Sequence, residues 1–210
     1  MGKVQVDERK IKKIILNIAP GKCLIKCIIS MSDNYKKIIF LDIDGVLASI
    51  PYLCKGKGFI DPSKCKLLNQ LEDIGAEVVI SSSWGYDEGR TEQSLKGCGL
   101  KLPIIGYTDH SVHYNHNWAC RGNEIEKWLL DNMYEKHDGL GTKYGYDYYR
   151  KHYNEGDIDY EYVILDDDND MLLGQADNFI LVNRYTGLTK RHINKMRKIL
   201  NRNVEIKKES

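Results

Sequence analysis

No CxxC pair, no long apolar run and no excess charge of either sign occur in this 210-residue chain. Each absence removes a class of protein. The six cysteines (Cys23, Cys27, Cys54, Cys65, Cys98 and Cys120) are scattered, so neither a zinc ribbon nor a disulfide framework is expected. They read as reduced thiols of a cytoplasmic protein. The formal net charge is +1, so no global field steers the molecule toward nucleic acid or a membrane, and any such attraction must be local. Residues 10–31 place basic residues ahead of an apolar segment, as a signal peptide does. Pro20, Lys22 and Lys26 interrupt that segment, and it never reaches the length of a membrane span. The expected organisation is an extension over 1–30, outside the fold, a single domain over 31–202 and a charged tail over 203–210. No membrane partner is expected.

What is present is the composition of a soluble globular domain, 42% hydrophobic beside 29% charged, which excludes a disordered chain. After Met31 the patterns of strand and helix alternate. "KKIIFLDI" is a continuous apolar run of the kind found in a parallel strand covered on both faces. "DPSKCKLLNQLEDIG" predicts a helix in which Asp61 caps, Pro62 fills the first turn, Leu67, Leu68, Leu71 and Ile74 share a face, and Gly75 closes. "AEVVISSSW", "LPIIGYT", "YEYVILDD" and "NFILVN" read as further strands. "RTEQSLKGCG", "RGNEIEKWLLDNM" and "GLTKRHINKMRKILN" read as helices. The alternation predicts an α/β fold with a doubly wound parallel sheet and no large cap domain. Residues 134–160 break the pattern, because eight of the fourteen tyrosines lie between Tyr134 and Tyr162. Disordered segments are poor in aromatics, so a structured insertion is expected there.

The first strand ends in two carboxylates, Asp42 and Asp44, followed by Gly45, and the strand "YVIL" ends in Asp166, Asp167, Asp168 and Asp170. Ligands of open parallel sheets bind outside the carboxyl ends of the strands. If these two strands are neighbours, at least four carboxylates converge, and their repulsion calls for a hard cation held by oxygen, which suits Mg²⁺. "AEVVI" ends instead in the hydroxyls Ser81, Ser82 and Ser83, suited to bind a phosphoryl oxygen. The helix starting near Arg121 adds a fixed positive charge. Carboxylate, metal, hydroxyl and cation together predict phosphoryl transfer through an aspartyl-phosphate.

"FLDIDGVL", "VVISSSW", "RGNEIEKWL" and "VILDDDND" resemble the four motifs of the haloacid dehalogenase-like (HAD) superfamily, in order. "SSSW", "IIGYT", "RGNEIEKWL" and the late "TGLT" resemble its branch in Swiss Army Knife RNA repair proteins, over roughly residues 36–200. The resemblance implies that Asp42 is the nucleophile, Asp44 the general acid and then the base, Ser81 a phosphoryl ligand and Arg121 the offsetting cation. It implies that Mg²⁺ is held by Asp42, the backbone carbonyl of Asp44, and Asp166 with Asp167. Ser82, Gly45 and Lys127 are added as substrate contacts. Two alternatives stand: Asp170 in place of Asp167 at the metal, and Lys127 in place of Arg121 as the cation. The branch often has an Arg directly after the Trp of "SSW", where this chain has Gly85; Arg90 is then the substitute.

About forty residues separate Asp42 from Ser81, and Ser81 from Arg121, too few in either interval for a cap domain. An open site favours a phosphate at the end of something large, a polynucleotide or a phosphoprotein. The flap "SIPYLCKGKGF" brings Lys55 and Lys57 to its mouth, the tyrosine-rich insertion offers rings for stacking bases, and the last helix carries Lys190, Arg191, Lys195, Arg197 and Lys198. The preferred substrate is a polynucleotide end, the alternatives being a small phosphorylated metabolite or a phosphoprotein. A non-catalytic adaptor would have no use for the intact Asp42, Asp44, Ser81 and Asp166. His110, His113 and His116, with Cys120 beyond, are spaced as zinc ligands, though plain surface or phosphate contact is the simpler reading.

Overall fold

The computed structural model describes residues 36–109, 120–133 and 160–202. Residues 1–30, the three spaced histidines, residues 134–159 of the tyrosine-rich segment and the tail lie outside them.

Five strands form one parallel sheet: β1 (Lys36–Leu41), β2 (Ala76–Ile80), β3 (Ile104–Tyr107), β4 (Tyr160–Asp166) and β5 (Phe179–Leu181). Their spatial order is β3-β2-β1-β4-β5. The chain builds outward from β1 to one edge, then returns to lay β4 and β5 on the other side. The reversal between β1 and β4 is the place where such sheets open a crevice for ligands. Register sets the level of that crevice. Leu41 pairs with Ile80 on one side and with Leu165 on the other, so Asp42, Ser81 and Asp166 leave three adjacent strands together.

The helices are α1 (Ile50–Cys54), α2 (Pro62–Leu68), α3 (Glu88–Gly97), α4 (Arg121–Met133) and α5 (Lys190–Leu200). They cover both faces of the sheet, as continuous apolar strands require. Alternate residues divide the core. Ile39, Leu41, Val78, Ile80, Val163 and Leu165 pack with Leu68 of α2, Leu95 of α3 and Ile193 and Met196 of α5. Ile38, Phe40, Val79 and Ile164 pack on the other face with Ile125, Trp128 and Leu129 of α4. Phe40 meets Trp128 edge-on at 5.5 Å between ring centroids. Each such fully buried side chain contributes roughly 1.5–3 kcal/mol, enough that the strand positions behind the crevice are held rigidly.

The helix expected over 61–75 is present in two parts. Asp61 caps it as expected, accepting from the Ser63 N–H at 2.8 Å, but the α-helix stops at Leu68 and continues as a 3₁₀ helix, Asn69–Ile74. At the junction the Asn69 side chain donates to Gly99 O at 2.7 Å and accepts from Lys101 N–H at 2.8 Å. That tie to a neighbouring loop favours the tighter turn. Among the described residues no helix is long and apolar enough to cross a membrane.

Candidate active site

Asp42 is the first residue beyond β1, and its N–H continues the sheet ladder to Leu165 O at 3.0 Å. The chain then turns tightly: the N–H groups of Leu47 and Ala48 both reach Ile43 O, at 2.8 and 3.0 Å, and Gly45 N–H donates to Ala48 O at 3.1 Å. Gly45 has φ +72°, and a Cβ there would fall 2.2 Å from Asp167 Oδ2. Only glycine meets both demands, a left-handed backbone and the close approach of an aspartate.

That approach completes an acidic cluster in which Asp42, Asp166 and Asp167 each present an oxygen within 4.8 Å of the others. Burial pushes the Asp42 carboxyl up from its ordinary 3.8 to about 7; the Asp166 charge adds to the rise, while the Ser82 hydroxyl and the Arg121 guanidinium oppose it. Burial likewise raises Asp166 to about 6, opposed by the Asp168 N–H and Arg121. Asp167 is raised by burial and held back by Arg184, whose Nε lies 3.0 Å from its Oδ2. Buried carboxylates driven toward protonation are in an environment that a cation would relieve. Three convergent hard oxygens fit a divalent ion of the magnesium or calcium kind, so the donor set suits the metal that such a fold implies.

The remaining sequence candidates are disposed around this cluster. Asp44 is exposed, two residues from the buried Asp42, and its Oδ2 accepts from Trp84 Nε1–H at 3.1 Å. Ser81 and Ser82 are buried at the end of β2, and neither hydroxyl closes a hydrogen bond among the described residues. Arg121 lies between Glu124, 3.0 Å from Nη1, and Asp166, 3.6 Å from Nε. Lys127 is turned elsewhere, 2.6 Å from Asp131 and 3.8 Å from Asp109. Of the two cations weighed from the sequence, Arg121 is the one beside the acidic cluster. Asp170 has another occupation: its Oδ2 accepts the Arg121 N–H at 2.9 Å and its backbone O the Gly122 N–H at 3.3 Å, capping α4. Asp167 therefore joins Asp42 and Asp166, and Asp170 does not. Arg90 stands beyond Trp84, in the wall of a neighbouring groove.

Three residues with direct contacts to this site were not singled out from the sequence: Trp84 on Asp44, Arg184 on Asp167 and Glu124 beneath Arg121. The Trp directly after three strand-end serines is a usable signal. Nothing local marks Arg184, which reaches Asp167 from the turn after β5.

A buried carboxylate at the switch point of a parallel sheet, an exposed one two residues on and a second acidic strand end beside them define a phosphoryl-transfer type of site. Residues 38–139, a little under half of the chain, match the family described as the HAD domain in Swiss Army Knife RNA repair proteins. The match supports the haloacid dehalogenase-like superfamily and, through it, a hydrolase of the phosphatase kind. It ends before Asp166, so the motif-four carboxylates stand on the β1–β4 pairing instead. Neither a curated protein nor a solved structure matches the chain significantly.

Proposed function

We propose that this protein is a Mg²⁺-dependent phosphomonoester hydrolase acting through an aspartyl-phosphate on a terminal phosphate of a polynucleotide. The observation that carries the reading is the unlike placement of two carboxylates two residues apart, Asp42 buried among acids and Asp44 exposed and tethered by Trp84.

In this mechanism an Asp42 oxygen attacks phosphorus while the bond to the leaving oxygen breaks, and Asp44 delivers its proton to that oxygen. The Asp44 carboxylate, now ionised, takes a proton from water as the water attacks the phosphorus of phospho-Asp42. Inorganic phosphate leaves, and both side chains return to their starting states. Ser81, with a buried hydroxyl and no partner among the described residues, donates to a phosphoryl oxygen. Arg121 offsets the charge that accumulates on the transferring group. Mg²⁺, held by Asp42, Asp166 and Asp167, would keep Asp42 ionised and draw charge from the phosphoryl oxygens. The thiols and the lack of a described membrane helix accord with a cytoplasmic setting.

The test is phosphate release from a 3′-phosphorylated oligonucleotide with Mg²⁺, comparing wild type with Asp42→Asn. Release by wild type alone is expected. Equal release by the variant removes the nucleophile role, and no release by either removes the substrate.

A further inference from the structure

A groove of about 680 Å³ opens beside Asp44, between the flap that follows α1 and the segment that carries Trp84 into α3. Its walls include Tyr52, Lys57, Phe59, Trp84, Tyr86 and Arg90. The rings are not there to fill a core: Phe59 is 75% exposed and Tyr86 62%. Phe59 and Trp84 lie 6.5 Å apart at 65°, so they form two sides of a slot and not a closed stack. Exposed aromatic surface gathered in one concavity marks a binding site, not scattered surface apolarity.

Three features select the occupant. Flat rings set at an angle favour a flat, apolar-faced ligand of their own size. Lys57 and Arg90 are exposed and form no ion pair among the described residues, so their charge is available to an anion. The groove also shares a wall with the reacting centre, because the same Trp84 ring donates its N–H to Asp44 at 3.1 Å. A group bound there is attached directly to the leaving oxygen that Asp44 protonates. Base, backbone anion and scissile phosphate occur in that order at the end of a nucleic acid strand. A polyol phosphate offers nothing flat, and a phosphopeptide offers no regular succession of anions.

We infer that this groove seats the terminal nucleoside of a phosphorylated single strand, its base against Phe59 and Tyr86 and the next backbone phosphate between Lys57 and Arg90. The inference rests on the polynucleotide reading above and adds a location to it. The acidic cluster repels an approaching strand, and the two cations in the groove offset that repulsion where the chain must pass.

The experiment compares a 3′-phosphorylated oligonucleotide with acetyl phosphate, which has no base and does not extend into the groove. Phe59→Ala and Tyr86→Ala should each raise the oligonucleotide KM about tenfold, the loss expected for one stacking contact, while kcat/KM for acetyl phosphate moves less than twofold. In an Asp42→Asn background, Lys57→Gln with Arg90→Gln should flatten the salt dependence of labelled-oligonucleotide binding by about 0.7 in log–log slope for one phosphate released. Parallel losses on both substrates would overturn the inference, because the rings would then serve the fold or the chemistry. An unchanged oligonucleotide KM in every variant would overturn it and leave the polynucleotide reading standing. Acetyl phosphate turnover with no binding or hydrolysis of oligonucleotide by wild type would remove both. Ring dependence seen with a phosphotyrosine peptide and not with the oligonucleotide would assign the groove to a protein partner and overturn the inference.

Discussion

Asp42→Asn should abolish turnover and yet stabilise the metal-free protein at pH 8. Asp42 is 7% exposed and its carboxyl is raised to about 7, above the 3.8 of the unfolded chain. The folded state therefore holds this proton more tightly than the unfolded state. Between pH 3.8 and 7 the native protein binds more protons, so the contribution of Asp42 to stability is greatest below 3.8 and is lost as pH rises through 7. About three pKa units at about 1.4 kcal/mol each give a penalty on the order of 4 kcal/mol for the ionised group above pH 7. Asparagine keeps the shape and cannot ionise, but it buries an amide, so a recovery of about half, roughly 2 kcal/mol, is reasonable. For a domain of this size that is an increase in Tm of about 4–8 °C. The assay is thermal unfolding in chelator from pH 5 to 8, wild type against variant. Wild type should lose Tm relative to the variant as pH rises, and Mg²⁺ should raise wild type more than the variant. A metal-free variant less stable than wild type at pH 8, or a difference that does not change with pH, would refute the linkage.

Gly45→Ala should lower stability by about 1–3 kcal/mol in chemical denaturation, because it combines φ +72° with a Cβ 2.2 Å from Asp167 Oδ2; it should also raise the Mg²⁺ needed for half-maximal activity. An unchanged Mg²⁺ requirement would separate the glycine from the acidic cluster. Trp84→Phe keeps a ring and removes the N–H on Asp44. It should slow poor leaving groups about tenfold, a fraction of what a general acid supplies, and acetyl phosphate far less; equal slowing would mean that Asp44 does not depend on this tether. Arg184→Ala breaks a half-exposed ion pair with Asp167 and should change stability by less than about 1 kcal/mol. Arg184 competes with a cation for that carboxylate, so half-saturation should occur at lower Mg²⁺, and a shift to higher Mg²⁺ would show that it supports the site.

The sheet and the acidic cluster were legible because their signals are local and covalent. "KKIIFLD" and "YVILD" each announce a buried strand and the residue at its end, and parallel pairing with Leu41 opposite Leu165 follows once both strands are central. The choice between Asp167 and Asp170 was not legible, because it depends on where α4 begins: the helix takes Asp170 for its own N-terminus, and no spacing rule says so in advance. Lys127 is only a turn or so beyond Arg121 in the same helix, and rotation about the axis separates them, one toward Asp166 and the other toward Asp131. The groove was the least legible part. Phe59 belongs to the flap and Trp84 to the end of β2, and each alone reads as an ordinary apolar residue.

The two aspartates also explain why a strand end, and not a strand, carries this chemistry. Residues two apart in a continuing strand share a face and thus an environment. Here the strand stops after Leu41, Ile43 is fully buried between the two acids, and the Gly45 turn swings the chain out, so Asp44 reaches solvent while Asp42 does not. A nucleophile benefits from burial, where its carboxylate is poorly hydrated and strongly attracted to an electrophile beside a cation. A group that gives up a proton and then collects one from water benefits from exposure. Moving the turn one residue later would place both carboxylates in the same surroundings and remove the division of labour, so the positive-φ glycine at 45 does as much for the proposed chemistry as either acid.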